Sequence, residues 1–132
     1  MIELNEVRIK RIYEPATDED GARILVDRIW PRGISKEEAA LTLWLKDIAP
    51  SAELRHWFDH DIERWESFKE QYAAELYSER QAIDTLLEYV SKSPVTLLFA
   101  AHDEAHNNAV ALKQYLYDHV FTSLNGRPPS GS

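Results

Sequence analysis

The 132-residue chain has no cysteine. That excludes disulfides, thiolate nucleophiles and cysteine-bound metals. Glycine is scarce, at four residues. Neither GxGxxG nor the phosphate-cradling GxxxxGKS/T occurs, so neither glycine-rich nucleotide loop is present. The strand–turn–helix elbow GxSxG is missing as well. No apolar run approaches the roughly 20 residues of a membrane helix. The opening MIELNEVRIKR mixes charge with short apolar pairs and lacks a signal peptide's hydrophobic stretch, so the expected compartment is the cytoplasm. Basic residues are outnumbered, 15 against 23, for a net charge of −8. Nucleic-acid binding depends on basic surface, so no nucleic-acid partner is expected, and no membrane partner either.

What is present is ordinary globular composition, 44% hydrophobic and 29% charged. It suits one domain with one core, expected over residues 1–122. NGRPPSGS and its surroundings, 123–132, read as a flexible tail. The charge is uneven. Residues 1–36 carry seven basic and seven acidic side chains; residues 37–132 carry eight and sixteen. The early segment is therefore neutral on an otherwise acidic protein. It can receive a small anion, whereas a long polyanion is repelled by the rest.

Val7, Ile9 and Ile12 alternate loosely with charge and predict a strand with one solvated face. ARILVDRIW, 22–30, predicts a strand buried on both faces, stopped by Pro31 and Gly33. SKEE, 35–38, is a capping box for a short helix. Leu41, Leu43 and Leu45 suit a third strand. Ser51 is placed to cap a helix over ELRHWF. Asp61 is placed to cap another helix, with Ile62, Trp65, Phe68, Tyr72 and Leu76 on its apolar face. SERQ, 78–81, is a second capping-box pattern, with Ile83, Leu86, Leu87 and Val90 beyond it. VTLLFAA, 95–101, is the clearest buried strand. A last helix carries Ala109, Leu112, Leu116 and Val120. Strands alternating with helices predict an α/β layered domain: a small, largely parallel four-stranded sheet flanked by helices.

In such sheets ligands bind beyond the carboxyl ends of the strands. Two polar clusters fall there, DRIWPRG after the second strand and HDEAHNN after the last. If those strands are parallel neighbours, the clusters meet at one edge. Arg28 and Arg32 offer planar forks suited to phosphate or carboxylate. Asp27 and His106 are the candidate acid/base, or catalytic, residues. Lys46, Asp103 and Asn107 are candidates for orienting a substrate. Trp57, Phe58, Trp65 and Phe68 are expected in the core. Two histidine pairs, His56/His60 and His102/His106, are four apart, and HDEAH has the spacing of the zinc-binding HExxH. Asp103 stands where that motif has Glu, and His102 follows a strand directly, so no metal is assigned and no cofactor is called for.

RILVDRIWPRGISKEEA, WLKDIAPSAELRHWFDHD, RWESFKEQYAAEL and LLFAAHDEAHNNAVALKQYL resemble the YeaO-like proteins. These are uncharacterised bacterial and archaeal proteins grouped as domain of unknown function 488. The likeness spans about residues 7–118. It implies a small α/β fold, an Asp-x-Arg-type segment matched loosely by Asp27 and Arg28, and a late Cys-His-Arg segment. AHDEAHNNAV replaces that last segment here, without the cysteine, so chemistry resting on a thiol is absent. The likeness also implies that His60, Asp61, Asp103, His106 and Asn107 are kept while positions 56 and 102 vary, which speaks against the paired-histidine metal. The expected function is an enzyme for, or a binder of, a small anionic, phosphorylated or nucleotide-like ligand at the strand edge. The alternative is a non-catalytic protein-interaction or regulatory module using the same edge.

Overall fold

A computed structural model describes residues 4–122 of the chain. The expected tail, 123–132, lies outside the described residues. Four strands, β1 (Val7–Arg11), β2 (Ala22–Leu25), β3 (Leu43–Trp44) and β4 (Val95–Phe99), form one sheet in the order β1-β4-β2-β3. Every pairing is parallel. Val95 of β4 faces Val7 on one side and Ala22 on the other, and the register runs on to Arg11–Phe99 and Leu25–Leu98. The expected α/β layering with a small parallel sheet is what the chain forms.

The helices are α1 (Lys36–Ala39), α2 (Ala52–Phe58), α3 (Trp65–Ser78), α4 (Arg80–Lys92) and α5 (Asn108–Tyr115), the last continued by a π-helix, Leu116–Phe121. Alternation along the strands separates two cores. Val7, Ala22, Ile24, Val26, Val95, Leu97 and Phe99 join the cluster that holds α2 to α5. Ile12, Leu25 and Leu98 point to the other face, covered among the described residues by Ala39 of α1 and by Trp30, Ile34, Leu41, Trp44 and Ala100. That second face would be open near the strand starts. There a polar network closes it: Arg23 donates from Nη1 to Asp20 Oδ2 at 2.6 Å and from Nη2 to the Ala39 carbonyl at 2.8 Å. Lys10 Nζ and the Thr17 amide reach the same carboxylate, and Thr96 Oγ1 donates to the Asp20 carbonyl.

Local signals explain most boundaries. The capping box at Ser35 and Glu38 is formed in both directions. Ser51 Oγ accepts from the Leu54 amide at 3.1 Å and donates to Glu75, tying α2 to α3. Asp61 caps a single 3-10 turn, Ile62–Arg64, that leads into α3. Gly21 has φ +63, and a Cβ there would lie 2.1 Å from the Pro94 carbonyl oxygen, so only glycine lets β2 start beside β4.

Three expectations are corrected. The strand expected over 22–30 ends at Leu25; Val26 keeps one bond to the Leu98 carbonyl, after which Asp27 turns the chain. Ile29 is 59% exposed, not buried. The capping box expected at 78–81 does not form, because Ser78 is the last residue of α3 and Glu79 alone separates it from α4, with no side-chain cap. Among the aromatics, Phe58, Trp65 and Phe68 are buried, but Trp57 is 38% exposed, covered on one side by the Arg64 guanidinium.

Candidate functional site

Because β2 and β4 are adjacent and parallel, residues 26–33 and 100–108 leave the sheet at the same edge. They wall a cavity of about 480 Å³, closed on its third side by residues at the start and end of α2 and by Phe68 of α3. Asp27, Arg28, Arg32, His106 and Asn107 all line it. So do Arg55, His60 and His102. Two segments some seventy positions apart in the chain therefore meet in one pocket.

Backbone contacts hold this frame. Asp27 Oδ2 accepts from the Ala100 amide at 3.0 Å, so the turn after β2 is bolted to the end of β4. Trp44 Nε1 donates to the Asp27 carbonyl at 2.7 Å, and Asn108 Nδ2 to the Val26 carbonyl at 2.8 Å. Arg11 donates to the carbonyls of Ala100 and Ala101 from behind. Trp30 is held by an Nε1 bond to the Ile34 carbonyl at 2.9 Å and by edge contact with Trp44 at 5.4 Å. Tyr13 Oη donates to the Arg32 carbonyl at 2.7 Å, fixing the backbone at the rim.

The charges differ in how they are used. Arg28 Nη2 donates to the Ala49 carbonyl at 3.2 Å, so part of its fork is already engaged. Among the described residues, the guanidinium groups of Arg32 and Arg55 make no hydrogen bond or ion pair, and both side chains are exposed at the cavity. Asp27 is the one carboxylate in the lining. Burial pushes its carboxyl above the usual range, opposed by the Ala100 N–H, the Asn108 side chain and the charge of Arg55. Three arginines against one half-buried carboxylate make this a positive concavity on an acidic protein, the arrangement that focuses a field on small anions.

His106 lies across the cavity from the arginine segment by sequence origin. Its Nδ1 meets Asp103 Oδ2 at 3.0 Å, and its ring stands edge-on to Trp65 at 5.3 Å between centroids. Asp103 Oδ1 accepts from the amides of Ala105 and His106 at 2.9 and 3.0 Å. The Ala105 amide is the first cause holding the Asp103 carboxyl below its ordinary range, with the His106 ring and amide adding to it and partial desolvation opposing it. Asn107 is buried and caps α5: its Oδ1 accepts from the Val110 amide at 3.0 Å, and its Nδ2 donates to the Asp103 carbonyl at 2.9 Å. Asp103 and Asn107 thus shape the loop that presents His106.

Two candidates stand apart from the cavity lining. Lys46 Nζ sits over the Trp44 ring at 4.0 Å to the centroid, and Asp103 is turned to its own loop. The histidine pairs do not share helical faces. α5 begins at Asn108, beyond both His102 and His106, and His60 follows α2 in a left-handed conformation with φ +57. No group of three or more His, Cys, Asp or Glu side chains among the described residues is arranged to hold a metal ion. Sequence reasoning missed Arg55, and it gave His60 no place in the site beyond a histidine pair and the residues the family likeness keeps. The signal for Arg55 was faint: it lies one helical turn after the Ser51 cap, on a helix whose other face enters the core.

The family model described as the inactive DUF488-N3 subclade matches residues 6–132. The uncharacterised protein YeaO of Escherichia coli is 44% identical over 110 residues, covering 83% of this chain and 96% of that protein. Uncharacterised proteins of Mycobacterium bovis and Mycobacterium tuberculosis are 40% identical over 116 residues, covering 88% of this chain and 98% of theirs. No solved structure matches.

Proposed function

This chain belongs to the YeaO-like DUF488 family, and we propose that its cavity binds a small anion without turning it over. The observation that carries the reading is the pair of unengaged guanidinium groups, Arg32 and Arg55, facing one cavity on a protein of net charge −8. An arginine fork matches phosphate or carboxylate oxygens two at a time. The binding half of the reading needs only these groups. Its non-catalytic half is supported by the subclade's description as inactive and by the lack of any cysteine where the wider family's thiol segment falls. No helix among the described residues is long and apolar enough to cross a membrane.

One observation favours a second reading, that the site is an enzyme. His106 with Asp103 is an imidazole whose Nδ1 is held by a carboxylate, the arrangement that orients the other ring nitrogen for proton transfer. In that reading His106 is the base and Asp27, its proton held more tightly through burial, the acid.

Thermal-shift and calorimetric titration with inorganic phosphate and phosphorylated metabolites separates these. A ligand at 100 times its Kd stabilises the protein by about 2.7 kcal/mol. The expected result is a shift that falls at least tenfold in affinity in Arg32→Ala and Arg55→Ala, with the ligand recovered unchanged by mass spectrometry. Binding undiminished in the double variant refutes the anion reading. Turnover that stops in His106→Ala replaces the receptor by the enzyme.

A further inference from the structure

The cavity has more than a charged rim. At about 480 Å³ it falls within the roughly 300–1,000 Å³ of pockets that enclose whole organic ligands. Inorganic phosphate alone leaves most of that space to water. Trp30, Ile29, Pro31 and Phe58 supply a wall of carbon. Trp30 is already locked by its bond to the Ile34 carbonyl and its contact with Trp44, so a flat group meets a preorganised surface.

Asp27 is the feature a plain anion does not explain. A half-buried carboxylate repels an incoming phosphate. Among the described residues it has no ion-pair partner within 4 Å; one of its oxygens is taken by the Ala100 amide, and the Asn108 side chain and the more distant charge of Arg55 offset only part of the cost of its burial. Were its only task to hold Ala100, an asparagine would accept that bond without the cost of a buried charge. A carboxylate in a binding cavity becomes favourable when the ligand brings a donor to it.

Building on the anion reading above, we propose that the ligand carries a nitrogen-bearing aromatic ring, as a nucleoside monophosphate does. Asp27 accepts an N–H of that ring, the carbon wall receives its face, and Arg55 and Arg32 hold the phosphate. Asp27 is then a specificity-determining residue, and Arg55 an anion ligand.

Calorimetry on the full chain tests this with inorganic phosphate, ribose 5-phosphate (no ring), phenyl phosphate (a ring without N–H) and the common nucleoside monophosphates. At least one nucleoside monophosphate is expected to bind tenfold or more tighter than both ribose 5-phosphate and phenyl phosphate. Asp27→Asn is expected to erase that preference while phenyl phosphate, freed of the repulsion, binds at least as tightly as before. Should that variant fold poorly, the preferred nucleoside monophosphate with its base N–H donors replaced by N-methyl groups supplies the same deletion from the ligand's side, and it is expected to lose the preference on the wild-type chain. Nucleoside monophosphates binding no tighter than ribose 5-phosphate overturn the inference and leave the anion reading standing. Preference unchanged by both the variant and the methylated ligand removes Asp27 from the role and also overturns it. No binding by any of the probes, or binding indifferent to Arg55→Ala, takes down both.

Discussion

Replacing Asp20 by Asn removes the centre of the network that closes the second face of the sheet. Asp20 is 5% exposed and Arg23 4%. In the variant, Arg23 keeps its bonds to the Ala39 carbonyl but loses its 2.6 Å carboxylate partner, and Lys10 loses its own. Removing one member of a buried ion pair leaves the other charge uncompensated and costs roughly 3–5 kcal/mol. That is a large share of the about 5–15 kcal/mol by which domains are stable. An independent estimate comes from proton binding. Burial alone would raise the Asp20 carboxyl, but the Thr17 amide, Lys10 and Arg23 outweigh it and bring it from 3.8 down to about 2. At about 1.36 kcal/mol per pH unit, that drop is worth at most about 2.4 kcal/mol. The carboxylate's cover is thin, with few atoms packed around it despite its small exposed area, so water screens it and about 1–2 kcal/mol is the better figure. The sign follows from the lowered value. This contribution is complete above about pH 5, where the unfolded carboxyl is ionised. It fades as the folded carboxyl takes up its proton, and roughly half is left near pH 3. Urea unfolding of wild type and Asp20→Asn at pH 7, 4 and 3 reads both quantities. The expected gap is at least about 1 kcal/mol at pH 7, and roughly half of it is left at pH 3. A gap under 1 kcal/mol at neutral pH, or one that widens in acid, refutes the view that this carboxylate stabilises the fold through its buried partners.

Gly21→Ala places a methyl 2.1 Å from the Pro94 carbonyl oxygen. The start of β2 must move away from β4, and a loss of at least about 3 kcal/mol is expected in thermal melts. Gly33→Ala is the control: its Cβ meets nothing within 4 Å, so only the left-handed backbone cost of about 1–2 kcal/mol is expected. Ser51→Ala removes both the cap on the Leu54 amide and the bond to Glu75. About 1–2 kcal/mol of stability is expected to go, measured by denaturant midpoint at constant m-value.

Much of the layout is legible in the sequence because it rests on local rules. β-branched runs bounded by turn residues place the strands at 7–11 and 95–99, and the side-chain oxygens of Ser35 and Ser51 place two helix starts. The rule that parallel sheets gather ligands at their carboxyl ends brings Arg28 and Arg32 toward His106. What the sequence hides depends on long-range packing. Ile29 and Trp30 look like two more strand residues, yet the bond from the Ala100 amide to Asp27 turns the chain before them. Arg55 joins the cavity only because α2 is packed back over the fold, a placement set by Phe58 and Leu54 in the core and by the Ser51–Glu75 bonds to α3. Lys46 looks like a free cation near the site but is held over Trp44.

The strand order has a consequence for how the chain comes together. β1 and β2 do not touch; each is paired to β4, the last strand made. While the ribosome is still extending the chain toward Val95, the only sheet pairing available among the described residues is the two-residue match of β2 with β3. The hub of the sheet, and with it the pocket built on its far end, is delivered only after the other three strands and the first four helices have been made. The apolar faces of β1, β2 and the earlier helices must wait for it in solution, which makes the nascent chain, more than the finished protein, the form exposed to aggregation.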